Sequence, residues 1–122
     1  MNRHILFVDD DVPLRETLTL FFRMRGIRVT SAENSEEANR LADQGGFSAA
    51  ILDVDLGGES GLDLLDVFKR KYPGLPVIMF TALAHDPAIT KDALARGASA
   101  CICKGDSLET LMSGVERVLL SN

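Results

Sequence analysis

The chain has 122 residues, 46% of them apolar, and a formal net charge of -5, with a pI near 4.9. That is the length of one domain with enough apolar side chains for a core, and the acidic balance leaves no basic footprint for gripping nucleic acid or an anionic membrane. No apolar stretch approaches the ~18 residues a membrane span needs, and the start from Met1 to His4 lacks the pattern of a secretory leader, so a cytoplasmic chain is expected.

Short apolar runs at residues 5–8, 27–30, 49–52, 77–80 and 100–103 read as strands, each followed by a segment with helical spacing. The first helix places Leu14, Leu18, Phe21 and Phe22 on one face, with Asp11 as N-cap, Pro13 in the first turn and Gly26 ending it. The second opens at Asn34 with Glu37 three residues on, the spacing of a capping box, turns Ala38, Leu41 and Ala42 inward, and closes at Gly45-Gly46. The third carries Gly61, Leu64, Leu65 and Phe68 and is stopped by Tyr72-Pro73-Gly74, and the fourth runs from Asp86-Pro87 to Gly97. The fifth holds Leu108, Leu111, Met112, Val115, Val118 and Leu119 at helical spacing, capped by Asp106 or Ser107. Apolar strands without strict alternation, separated by single helices, predict a parallel sheet covered on both faces, an α/β doubly wound open sandwich. Cys101 and Cys103 are expected on opposite faces of a strand and therefore as unpaired thiols. His4 and His85 have no His or Cys companions at ligand spacing, which disfavours a transition-metal site.

In such a sheet the ligand crevice lies at the carboxyl ends of the strands. Asp9-Asp10, Asp53, Thr81 and Lys104 end or follow four separate runs, and so converge on that one edge. Singly, each has a plain role: a solvated turn with Asp11 as cap, a strand-end turn residue, the end of a β-branched strand, a surface lysine. Together they make a chemistry. Carboxylates gathered at one crevice repel one another unless a cation is present, and hard oxygen ligands suit Mg²⁺. A hydroxyl and an ammonium at the same edge match the oxygens of a phosphoryl group, and carboxylates are established nucleophiles in aspartyl-phosphate chemistry. Asp53 is thus the candidate nucleophile. Gly57, Gly58 and Gly61 read as a turn that also gives close backbone access to the metal.

Ile5-Leu6-Phe7-Val8-Asp9-Asp10-Asp11, Ile51-Leu52-Asp53-Val54-Asp55-Leu56, Ser60-Gly61-Leu62, Phe80-Thr81-Ala82, Gly97-Ala98 and Lys104 stand in this order over nearly the whole chain. In that combination the sequence resembles the receiver (REC) family of bacterial two-component response regulators. The resemblance implies one receiver domain over residues 1–122, built as a flavodoxin-like (βα)5 open sandwich with a five-stranded parallel sheet of order 2-1-3-4-5. It implies a phosphoacceptor signalling switch in a phosphorelay, with Asp53 receiving the phosphoryl group from a sensor histidine kinase or a histidine phosphotransfer protein and the altered surface read by a downstream effector domain or protein. Asp9, Asp10, Asp53 and the backbone carbonyl of Asp55 match the family's Mg²⁺ site, while Thr81, Ala82 and Lys104 match its phosphate-binding and switch residues. By the same resemblance the chain is not an enzyme beyond catalysing its own phosphorylation and dephosphorylation, it binds neither nucleic acid nor membrane directly, and a homodimer stays open.

Three positions depart from the family pattern. Gly57 stands where a proline is frequent, which should loosen that loop. Gly105 replaces the proline that usually follows the lysine in a cis peptide, and since a cis bond to a non-proline costs ~3 kcal/mol, the loop after Lys104 should differ. Cys101 occupies the place of the aromatic that swings inward on activation, so that switch cannot operate. Two other classes share parts of this pattern. Asp53-Val54-Asp55-Leu56 also resembles the nucleophile motif of haloacid-dehalogenase-like phosphatases, but there the motif sits on the first strand with the acidic pair last, and no cap domain fits in 122 residues. A degenerate receiver acting as a constitutive protein-binding module would keep the fold without the chemistry.

Overall fold

The computed structural model describes residues 3–120. Its elements follow one another as β1 (Arg3–Val8), α1 (Val12–Arg23), β2 (Ile27–Ala32), α2 (Ser35–Gln44), β3 (Ala49–Leu52), α3 (Gly61–Lys71), β4 (Val77–Thr81), a 3-10 turn (Ala82–His85), α4 (Pro87–Ala95), β5 (Ala100–Cys103) and α5 (Leu108–Leu120). The five strands form one parallel sheet in the order β2-β1-β3-β4-β5, which is the expected one. None of the described helices is long and apolar enough to cross a membrane.

Alternate residues of each central strand go to opposite faces, and here both faces are apolar. Leu6, Val8, Ala50, Leu52, Val77 and Met79 pack with Ala38 and Ala42 of α2, Leu65 and Phe68 of α3 and Ala93 of α4. Ile5, Phe7, Ile51, Ile78 and Phe80 pack with Leu18 and Phe22 of α1 and Leu111, Met112 and Val115 of α5. Because β1, β3 and β4 are covered on both sides they are continuous apolar runs, and each fully buried Leu, Ile or Phe contributes roughly 1.5–3 kcal/mol to folding.

The helix starts follow from their caps. Asp11 accepts from the Leu14 amide, Asn34 from Glu37, Ser60 from Leu62, Asp86 from Ala88 and Ser107 from Thr110, so Ser107 rather than Asp106 caps α5. The capping box of α2 is displaced by one residue, since Glu37 accepts from the Glu33 amide at 3.0 Å instead of that of Asn34. β2 runs on to Ala32 because its register with β1 continues to Val8↔Ala32. The 3-10 turn is the one element without a signal in the apolar pattern, being nucleated by a side chain described below.

The expected orientation of the cysteines needs correction. Both are free thiols, but residues two apart on a strand share a face; Cys101 packs against the α2–α4 side of the core, while Ala100 and Ile102 lie on the other. Burial pushes the Cys101 thiol above its ordinary value, which disfavours its thiolate. All described peptide bonds, including Lys104–Gly105, are trans.

Candidate functional site

The parallel register brings the chemistry together. Phe7 pairs with Ile51 and Val8 with Leu52, and the Asp53 amide donates to the Val8 carbonyl at 3.1 Å. Asp9 and Asp53 therefore leave the sheet side by side. On the far side Thr81 pairs with Cys103, and the Lys104 amide donates to the Thr81 carbonyl at 3.1 Å, which sets Thr81 and Lys104 next to each other. Asp9, Asp10, Asp53, Asp55, Thr81, Ala82 and Lys104 meet around one open cleft of about 310 Å³. Another groove, of about 330 Å³ between Phe47, Tyr72 and Leu75, lies where β3 and β4 begin, at the opposite end of the sheet.

Asp9 is fully buried and Asp53 is 5% exposed, an arrangement that demands compensation because a buried carboxylate is costly without partners. The Lys104 Nζ supplies it, standing 2.7 Å from Asp9 Oδ2 and 2.7 Å from Asp53 Oδ2. Only the approach to Asp53 is aligned as a hydrogen bond; Asp9 Oδ2 is a buried oxygen with an ion contact but no hydrogen bond. Its partner oxygen, Asp9 Oδ1, accepts from the Asp11 amide at 3.0 Å, and Asp53 Oδ1 accepts from the Asp55 amide at 3.3 Å. Burial pushes the Asp9 carboxyl up, against the pull of Lys104 and of the Asp11 amide. For Lys104 burial pulls downward, but the close contacts and charges of Asp53 and Asp9 outweigh it and hold the ammonium above its ordinary value.

One oxygen from each of Asp9, Asp10 and Asp53 lies within 4.8 Å of the others. Three hard oxygen donors, one of them buried without a hydrogen bond, fit an oxygen-seeking cation such as Mg²⁺ or Ca²⁺ better than a transition metal that prefers nitrogen or sulfur. Asp55 lines the same cleft, although its carboxylate is turned to the Gly57 amide at 3.2 Å.

Thr81 is 1% exposed and its hydroxyl accepts from the Leu83 amide at 3.2 Å. That bond caps the 3-10 turn and explains it: the hydroxyl ending β4 organises the next turn and can still donate its own proton. The turn is tied onward to α4, because the Thr90 hydroxyl donates to the Ala84 carbonyl at 2.9 Å. Cys101, three residues before Lys104, is not among the residues lining the cleft; it lies under α4, half-buried.

Two supports escaped the sequence reading. Arg15 Nη1 donates to the Asp9 carbonyl at 2.7 Å, fixing the end of β1 from α1, and nothing in the spacing announces it. Gly61 was read as part of a turn, yet a Cβ there would stand 1.7 Å from the Asp53 carbonyl oxygen, so only glycine lets α3 start against the backbone of Asp53. Gly57 also has a conformational reason for standing where a proline is frequent. Gly57 has φ +63°, in the left-handed region open to glycine and closed to proline.

The chain matches the response regulator receiver domain over residues 5–116. It is 33% identical over 115 residues to a cyclic di-GMP phosphodiesterase of Thermotoga maritima, covering 94% of this chain and 30% of that protein. It is 33% identical over 119 residues to the transcriptional regulatory protein YkoG of Bacillus subtilis, covering 98% of this chain and 52% of that protein. The chain thus spans about a third to a half of these curated relatives. Among solved structures it superposes on a CheY-like receiver domain protein of Methanospirillum hungatei with a TM-score of 0.92 at 26% identity, covering 99% of this chain and 96% of that one. It also superposes on the response regulator TrrA of Thermotoga maritima, in complex with Mg²⁺-BeF, with a TM-score of 0.85 at 28% identity, covering 95% and 98%. With the strand order, the acidic crevice and a family match over nearly the whole sequence in agreement, this chain belongs to the response regulator receiver domain family.

Proposed function

We propose that this domain accepts a phosphoryl group on Asp53 and holds it as an aspartyl phosphate. The observation that carries the reading is the placement of the Asp53 carboxylate on the floor of an open cleft, 2.7 Å from an ammonium and beside two further carboxylates. An Asp53 oxygen attacks phosphorus, forming the O–P bond as the bond to the donor breaks and its electron pair leaves with the donor. With a phosphohistidine donor, that pair returns to the imidazole nitrogen. Lys104 follows the charge from the carboxylate to a phosphoryl oxygen, and the Thr81 hydroxyl donates to another. The amide of Ala82, which lines the same cleft, is the third donor.

Asp9, Asp10, Asp53 and the Asp55 carbonyl would hold Mg²⁺, which when bound neutralises carboxylate repulsion and polarises the phosphoryl oxygens. The relative TrrA, crystallised with Mg²⁺-BeF, supports that choice among hard cations. The donors are a sensor histidine kinase or a histidine phosphotransfer protein, and the reader of the switched state is an effector domain or protein.

The switch follows from the contacts of Thr81. A phosphoryl oxygen that takes the Thr81 proton draws the hydroxyl toward itself and stretches its bond to the Leu83 amide, and the 3-10 turn shifts together with α4 through the Thr90–Ala84 bond. Cys101 is too small to follow as an aromatic would, so the turn and α4 carry the change alone.

Incubation with acetyl phosphate and Mg²⁺ should add one phosphoryl group to the intact mass. Asp53→Asn should remove the adduct without unfolding the protein, and EDTA should suppress it. An adduct of unchanged yield in Asp53→Asn would sink the assignment.

A further inference from the structure

We propose that Gly57 and the Asp55 side chain form a positioning device for Asp10, holding its carboxylate toward the metal-binding crevice; this rests on the Mg²⁺ reading of the site given above. Asp10 is the exposed member of the three-carboxylate group, and an exposed aspartate on a loop has free rotamers to lose when it binds a cation. Something must confine it if its contribution is to be efficient. The loop after β3 does so from the side. Gly57 has φ +63°, and a Cβ built on it would lie 2.9 Å from Asp10 Oδ2. The missing side chain of Gly57 therefore leaves the space in which the Asp10 carboxylate sits.

That loop is held by Asp55, whose Oδ1 accepts from the Gly57 amide at 3.2 Å, while the Leu56 amide donates to the Glu59 carbonyl at 3.0 Å and Asp55 bridges to Ser60. The Asp55 side chain, pointed at the loop, thereby acts on Asp10 as a positioning residue through Gly57. Glycine is required at 57 twice over, once for its φ and once for the space that Asp10 occupies. Those two requirements separate at the neighbouring residue: Gly58 has φ +99° but nothing within 4 Å of a Cβ.

The test is Mg²⁺ affinity of the unphosphorylated protein by isothermal titration, with melting in EDTA as the folding control. In Gly57→Ala the atom displaced is the far end of a flexible side chain, so the protein should fold while Asp10 is turned out of the crevice. Its Mg²⁺ dissociation constant should rise about tenfold or more, the range found when groups that orient metal ligands are removed. Gly58→Ala, at φ +99°, also carries positive-φ backbone strain but lacks the contact, and should leave affinity within about twofold of wild type. At position 55, Asp55→Asn keeps the Oδ1 acceptor and should bind Mg²⁺ clearly more tightly than Asp55→Ala, which loses it. Equal affinities for Gly57→Ala and Gly58→Ala, or for Asp55→Asn and Asp55→Ala, would overturn the proposal while leaving the Mg²⁺ site standing. If wild type itself took up no Mg²⁺, the metal reading would fail first and take the positioning role with it.

Discussion

α4 and α5 flank the same edge strand, yet they are held by different forces. α5 presents Leu111, Met112, Gly114 and Val115 to the core, and a Cβ at Gly114 would come within 2.6 Å of Ile102 Cδ1, so helix and strand are in close contact. α4 buries Ala93 and little else. It is fastened instead by polar links: Arg96 at its end reaches Asp66 of α3 at 3.0 Å and Asp92 at 2.9 Å, and Thr90 holds the 3-10 turn. A helix bonded by dispersion and apolar burial cannot shift without opening a void. One held by partly exposed ion pairs and a hydroxyl exchanges partners at less cost. The element attached to the Thr81 turn is thus also the one most able to move.

The largest consequence of this difference should appear in truncation. Leu111, which is 0% exposed, should cost ~2–5 kcal/mol of stability when replaced by alanine. Leu94, 47% exposed on α4, should cost within about 0.5 kcal/mol. Urea unfolding of the two variants decides it, and equal losses would mean that α4 is packed as firmly as α5. A smaller effect is expected at Arg96. Arg96→Ala should raise amide hydrogen exchange across α4 while leaving α5 protected, and added salt should produce a weaker trend of the same kind in the wild-type protein because these pairs are partly exposed.

The smallest effect lies far from both helices. His4 on β1 faces the Thr30 hydroxyl at 2.6 Å, and burial, aided by Arg28, lowers its pKa below the ordinary 6.5. Unfolded chains therefore take up the proton first as pH falls. The stability linked to neutral His4 is complete above about pH 6.5 and is lost as pH falls toward the lower folded value. His4→Gln should flatten this part of the stability curve and leave the difference between α4 and α5 untouched.

The strands, the helix caps and the convergence of Asp9, Asp10, Asp53, Thr81 and Lys104 were legible in the sequence because each rests on a local rule: apolar runs, a capping residue, a polar residue ending a strand. Asp11, Asn34 and Asp86 cap as their positions dictate. What stayed hidden was steric and long in range. No pattern around Gly61 tells that its missing Cβ makes room for the Asp53 carbonyl, and none around Arg15 tells that it reaches back to the end of β1. Gly57 was visible as an oddity, but its meaning depends on Asp10, 47 residues away in the chain and in contact only after folding. The 3-10 turn was missed because a hydroxyl, not an apolar period, nucleates it. The cysteine faces were misread where the two-residue period of a strand should have decided them.

Lys104, already shared between Asp9 and Asp53, makes the crevice an ion exchanger. The clustered carboxylates of Asp9, Asp10 and Asp53 with the ammonium of Lys104 carry a formal charge of -2, the Asp55 carboxylate being turned away to the Gly57 amide. A divalent cation cancels that excess, whereas a monovalent one leaves half of it in place. Charge stoichiometry alone thus favours a doubly charged ion, before any question of coordination geometry arises. Under the proposed phosphotransfer the same count would govern timing: before a divalent ion entered, an approaching dianion would meet a net negative field, which high monovalent salt would screen without cancelling.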